Sequence, residues 1–303
     1  MNFNTNIEIG ARFKLVVRKA SDDSISKETE WFHNLVLNSG LYRMSEGVWI
    51  DRCCVGTGNT VPIETQTALA SFRASTPTKQ RIVNSLQTTS SPYYRSSQVT
   101  WRFGIGLASG NISEVGLGWS DTSLWNRALI KDINGDPISI TVLSDEYLDV
   151  VSEVREYVAT STSGSFNLLN KSGGIISNHT ILASPYMVIA SGLSNFNKIS
   201  PYLLQTYTGN KSSSLTSTPS GQISEVGHSS VTYPTPTSMR SVYSLGLTQS
   251  NGIIKSIVNI ISGVIINGTQ DSAYQFQITP PITKNNTQVL TFTITVSWTR
   301  YTS

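Results

Sequence analysis

The sequence predicts a mainly β protein: two sandwich- or barrel-like antiparallel β domains with at most short helices. Three observations carry that expectation. Charged residues make up only 14% of the 303 residues against 38% hydrophobic, where a soluble domain usually has about 25% charged. Ser, Thr, Asn and Gly fill the gap, a mixture suited to strands joined by many turns. Apolar residues alternate with polar ones around Trp101 and again around Trp298, the period of a half-buried strand.

Taken in order, residues 13–18 (FKLVVR) read as a first strand, with Leu15 and Val17 on one face. The charged stretch 19–30 follows as a loop or hairpin end. Residues 31–44 (WFHNLVLNSGLYRM) predict a strand end and then a short helix, in which Gly40 limits the helical stripe of Leu35, Leu41 and Met44. Residues 49–56 read as a strand closed by a turn at Gly56-Thr57-Gly58-Asn59. Residues 98–107 alternate through Val99, Trp101 and Phe103, and 112–119 and 124–131 continue the β pattern. The turn cluster 132–137 (DINGDP) precedes a strand at 138–143.

Residues 143–158 fit two templates. Leu143, Tyr147, Val150, Val151, Val154 and Tyr157 form a helical stripe. Leu148, Val150, Val154 and Val158 form a strand face interrupted by Ser152 and Glu156. The last strand tips the balance. Residues 290–301 place Leu290, Phe292, Ile294, Val296 and Trp298 on one face with Thr and Ser on the other, a half-buried strand. Both halves of the chain then close on a strand. The pentapeptide Ile112-Ser113-Glu114-Val115-Gly116 also recurs as Ile223-Ser224-Glu225-Val226-Gly227. Together these suggest two related domains, 1–160 and 161–303, joined at the small polar stretch 159–165. A Ser/Thr-rich excursion at 207–238 belongs to the second.

The signatures of common chemistries are missing. His33, His179 and His228 are scattered, without HExxH spacing. No GxSxG nucleophile elbow occurs. The Gly-Thr-Gly at 56–58 lacks the third glycine of a dinucleotide loop and reads as a turn. Cys53 and Cys54 are adjacent, so on a strand they face opposite ways and read as two small, partly buried apolar residues, not a disulfide or metal pair. No catalytic, cofactor-binding or metal-binding residue is assigned, and no cofactor is expected. The net charge of +3 comes without a Lys/Arg run, which argues against nucleic acid. The start (MNFNTNIEIG) lacks a signal-peptide pattern, and residues 253–266 are too short and too polar to span a bilayer. The acidic cluster Asp145, Glu146, Asp149, Glu153 and Glu156 reads as a solvated outer face, although paired carboxylates also serve glycosidases. Tyr93, Tyr94 and Arg95, beside Pro92, form the candidate contact surface: exposed tyrosines stack on sugars or anchor a protein partner, and equally they pack down onto the domain.

Several phrases resemble virion proteins of tailed bacteriophages. One is Trp31-Phe32-His33-Asn34-Leu35-Val36-Leu37-Asn38-Ser39-Gly40-Leu41, followed by a strand and Val55-Gly56-Thr57-Gly58-Asn59. Another is Ile112-Ser113-Glu114-Val115-Gly116-Leu117-Gly118-Trp119, followed by 124–130, the turn, and 140–150. The resemblance covers roughly residues 13–157. It implies a non-enzymatic structural component present in many copies: a tail baseplate, fibre-attachment or tail-tip protein. Capsid decoration, a head fibre and a carbohydrate-binding adhesin of the host surface are the alternatives. The implied partners are other virion proteins and further copies of the chain in an oligomer or ring, with a host glycan as a candidate ligand. The implied location is the virion, assembled in the bacterial cytoplasm.

Overall fold

The computed structural model describes residues 2–158, 162–187, 196–265 and 272–302. They are almost entirely strand, with Asn38–Arg43 the one α-helix among the described residues. The first strand is Asn2–Lys19, far longer than the stretch 13–18 expected. Its inward face explains the length: Phe3, Ile7, Ile9, Ala11, Phe13, Leu15 and Val17 are all buried at every second position, with Thr5 completing the row. Asn4, Asn6, Arg12 and Lys14 point the other way.

That strand lies in a nine-stranded sheet, sheet I. Its order is Ser230–Thr235, Ser238–Leu245, Leu290–Arg300, Asn2–Lys19, Glu146–Val158, Tyr94–Phe103 and Lys79–Gln87, with Ile25–Glu28 and Phe32–His33 pairing off the path. Sheet II has six strands, running Leu35–Val36, Asn126–Leu129, Glu114–Ser120, Arg52–Gly56 and Phe72–Thr76, with Ser123–Leu124 beside them. Sheet III has six, running Thr162–Leu169, Ile175–Tyr186, Ser272–Lys284, Gly252–Ser262, Ser200–Tyr207 and Gln222–Gly227. One contiguous core joins all three. Phe3 of sheet I stacks on Phe276 at 5.1 Å and meets Phe166 edge-on at 5.2 Å, both from sheet III. Trp49 packs at 5.0 Å on Trp125 and on Phe196.

The ambiguous segment is a strand, Glu146–Val158, at the centre of sheet I. Its inward face holds Leu148, Val150 and Val154, and the two polar interruptions have inward partners. Ser152 Oγ accepts the Trp101 indole N–H at 2.9 Å, and Glu156 pairs with Arg95 directly across the ladder. Of the acidic cluster only Asp145 is exposed, so the other four do not form a solvated face. Glu146, Asp149, Glu153 and Glu156 are all buried. Apart from Arg155, which pairs with Glu153 on the same strand, their cations come from neighbouring elements, Arg102 on Asp149 and Arg12 on Glu153 among them, which spacing along one segment does not reveal.

Two further expectations need correction. The division at 159–165 does not part the sheets. Residues 159–161 lie outside the described residues, and Thr162–Leu169 opens sheet III, but the last strand returns to sheet I. Leu290–Arg300 runs parallel to Asn2–Lys19, with Ile294 level with Phe3, so the pairing is not wholly antiparallel. A parallel pair needs a long crossover, and here nearly the whole chain separates the two strands. The excursion 207–238 is also more ordered than expected. It contains the strands Gln222–Gly227 and Ser230–Thr235, and 208–221 is its one long irregular stretch.

The adjacent cysteines face apart as expected, but both are fully buried rather than partly so. Cys53 belongs to the main core and Cys54 to a separate small cluster with Leu37, Leu69 and Leu124. Burial pushes the Cys53 thiol well up and that of Cys54 to about 12, so neither is a ready nucleophile.

Candidate functional site: a tyrosine–arginine ladder

The strand Tyr94–Phe103 alternates, and this splits the three candidate contact residues. Arg95 points into the core, 1% exposed, and is committed to the buried Glu156. It is not a surface residue. Tyr93 and Tyr94 are half-buried. Tyr94 projects from the outer face of sheet I, where its neighbours across the ladder are Tyr157 and, two residues along, Arg155.

The outer face carries a continuous run of side chains. Trp31 lies under the Arg12 guanidinium at 4.4 Å. Arg12 and Arg155 both donate to Glu153. Arg155 sits over the Tyr94 ring at 4.3 Å, Tyr94 packs against Tyr157 at 5.5 Å, and Tyr157 stacks on Tyr301 at 3.6 Å. Gly10 lies beneath that last stack, where a Cβ would make ordinary contact, 3.4 Å from Tyr301 Cβ and 3.5 Å from Tyr157 Cε2. Cation–π and stacked contacts of this kind fix ring orientation as well as adding attraction.

The electrostatics follow from burial and partners. Burial works to raise the Glu153 carboxyl, but hydrogen bonds from Arg155 and Arg12 outweigh it and hold the group below its ordinary value. Burial likewise works against the charge of Arg155, and Glu153 and Tyr157 more than restore it. Burial raises the Tyr157 phenol. His33 is held low by burial and by the charges of Arg155, Arg12 and Lys131, so its ring favours the neutral form.

The Tyr157–Tyr301 pair stands between two clefts. One, of about 280 Å³, is lined by Asn6, Glu8, Tyr93 and Tyr301 among others. The other is small and reaches Gly10, His33 and Asn34. The larger cleft offers aromatic rings beside one carboxylate and one carboxamide, the elements that hold a sugar or a peptide turn.

Other candidates resolve into structure. His179 is buried: its Nδ1–H donates to Pro280 O, which can only accept, so Nε2 accepts from Ser177. The three histidines sit on separate elements, and no metal-holding group of His, Cys, Asp and Glu is found among the described residues. No helix among them is long and apolar enough to cross a membrane. The turn at 56–58 does bind an anion, but an internal one. The amides of Gly58, Ala70 and Ser71 donate to the Glu114 carboxylate at 3.0, 3.0 and 2.7 Å, while Arg127 pairs with it from the other side. The sequence reading did not single out this buried pair. Its one local sign is a glutamate standing in the apolar run Ile112 to Leu117. Set against known protein families, characterised proteins and solved structures, the chain matches none of them.

Proposed function

We propose that the chain is a non-enzymatic structural component of a tailed-bacteriophage virion: a baseplate, fibre-attachment or tail-tip protein. The observation carrying this reading is how the buried charges are used. Glu114, Asp149, Glu153 and Glu156 are each engaged by arginine, and their arrangement locks strands together. A general acid or base has to meet substrate, and these four meet their neighbours instead. The virion phrases in residues 13–157 supply the setting. Locating the chain in purified virions tests it: expected is a band at a fixed stoichiometry in tails, whereas signal confined to heads makes it a decoration protein. Absence from virions ends the reading.

The cleft between Tyr93 and Tyr301 favours a second reading, a site for host surface glycan. Titrating the protein with surface polysaccharide of the host checks it, with Tyr301→Ala and Tyr93→Ala as controls. Saturable binding lost in both variants supports the site. Release of reducing ends would instead make the protein a depolymerase.

A further inference from the structure

The cleft beside Tyr301 holds a carboxylate that the rest of the molecule leaves without a cation. Glu8 stands on Asn2–Lys19 between Ile7 and Ile9, both fully buried, so its side chain falls on the outer face of sheet I. Its neighbours across the two ladders are Tyr157 and Thr299. Half-buried there, it lines the cleft of about 280 Å³ together with Tyr93, Tyr157 and Tyr301. Among the described residues it is the one carboxylate that is not exposed and has neither an ion pair nor a hydrogen bond. Asp149, Glu153 and Glu156 of the same sheet each take an arginine. Among the described residues no Lys, Arg or His lines the cleft. Arg155 stands two positions along the ladder from Tyr157, but it is engaged by Glu153 at 3.0 Å and lies over the Tyr94 ring.

The walls of the cleft are set by the fold. Tyr301 N donates to Ile9 O at 2.9 Å and Val158 N donates to Tyr93 O at 3.2 Å, which pins both segments that bring rings to the cleft. Tyr157 and Tyr301 lie nearly parallel, their planes 11° apart. Asn6 adds a polar edge. Its Oδ1 accepts from Ser297 Oγ at 3.0 Å, and its side-chain amide N–H groups have no partner among the described residues. A carboxylate beside aromatic rings, with no cation of its own, attracts a positive charge in two ways: by a charge-assisted hydrogen bond and by the ring quadrupoles. The same arrangement disfavours an anionic sugar. The volume lies at the low end of small-molecule sites, which suits a single ring-sized unit.

We propose that this cleft takes a positively charged sugar unit, a hexosamine whose amine is free rather than acetylated, with its ammonium on Glu8 and its ring against Tyr93 and Tyr301. The inference deepens the reading of the cleft as a glycan site and rests on it. A sugar fits better than a lysine side chain because its hydroxyls use the Asn6 amide while its C–H face covers a tyrosine ring. A lysine stem would leave that amide unpaired.

Calorimetric titration of the full-length chain tests this, using glucosamine oligosaccharides and the same oligosaccharides fully N-acetylated. The free-amine form is expected to bind saturably, about tenfold tighter than the acetylated form, the worth of one charge-assisted contact, and to weaken as salt rises. Glu8→Gln keeps the shape of the side chain and removes its charge, so it should abolish that preference. Tyr93→Ala should weaken both sugars, and a far-ultraviolet melt verifies each fold. Equal binding of the two forms by the wild type, or a preference that survives Glu8→Gln, overturns the inference and leaves the glycan site standing. A lysine-bearing peptide that binds more tightly than the free-amine sugar, and depends on Glu8, makes the occupant a protein partner and overturns the inference and the glycan reading together. No binding of either sugar by the wild type also ends both.

Discussion

Residues 57–71 and residues 208–221 are both irregular loops laid against a sheet, and the molecule pins them by opposite means. The first is held by charge. Glu114 and Arg127, each 0% exposed, pair at 2.7 Å, and Arg127 also reaches Gln66 Oε1 and Thr60 O. The second is held by carboxamides. Gln275 Oε1 accepts from Ser212 N, and its Nε2 donates to Ser214 O and Ser217 O. Gln277 accepts from Lys211 N and donates to Lys255 O. The contrast extends to the surroundings. The ion pairs among the described residues fall within the first 158 positions, except for Arg300 with Glu64. A buried ion pair is costly to break because the surviving charge has no water, whereas a carboxamide leaves behind only neutral groups.

The largest expected effect is therefore at Glu114. Glu114→Ala leaves Arg127 buried without its anion and should cost about 3–5 kcal/mol. Equilibrium denaturation measures the loss, and limited proteolysis should show new cleavage within 57–71. Gln275→Ala should cost about 1–3 kcal/mol, the range for stranding neutral buried groups, with new cleavage confined to 208–221. Equal costs at the two positions would break the comparison.

Acid should separate the two regions without any mutation. Glu153 and Asp121 are held below their ordinary values of 4.5 and 3.8. Their contribution is full above those values and is lost as pH falls through the lower, folded ones. His33 is held below 6.5, so the unfolded chain takes up its proton first and stability already declines as pH drops below 6.5. Hydrogen exchange followed from pH 7 to pH 3 should show protection falling in Tyr94–Phe103 and Glu146–Val158 before Ser200–Tyr207. His33→Asn should remove only the upper part of the decline.

The smallest effect tests the echoed pentapeptide. Glu225, the counterpart of Glu114, is exposed on the edge strand Gln222–Gly227 and meets only Gln205 Nε2, at 3.4 Å. Glu225→Ala should change stability by no more than about 0.5 kcal/mol, as read from the thermal midpoint. A cost near that of Glu114→Ala would mean that the pentapeptide itself, rather than its place in the sheet, carries the energy.

Much of the strand content is written in the alternation of apolar residues, because facing is a local property with a period of two. Val99, Trp101 and Phe103, like Phe292 to Trp298, turn inward as their spacing requires, and the adjacent cysteines face apart. The short helix after Val36 also lies where the sequence places it. Of the candidate contact residues, Tyr93 and Tyr94 do reach the surface, but Arg95 does not, and Tyr301, the ladder's last ring, comes from the far end of the chain.

What the tertiary structure alone decided is which strands share a sheet and which charges share a pocket. Ile112-Ser113-Glu114-Val115-Gly116 and Ile223-Ser224-Glu225-Val226-Gly227 are the same five residues, yet one glutamate is enclosed between flanking strands and the other lies on a sheet edge. Nothing within either pentapeptide distinguishes them. Leu290–Arg300 likewise shows by itself that it is half-buried, but not that its neighbour is Asn2–Lys19 in parallel. Pairing is settled by contacts between residues hundreds of positions apart, chosen by which edges and apolar faces the rest of the chain leaves open, and a local pattern holds no record of that choice.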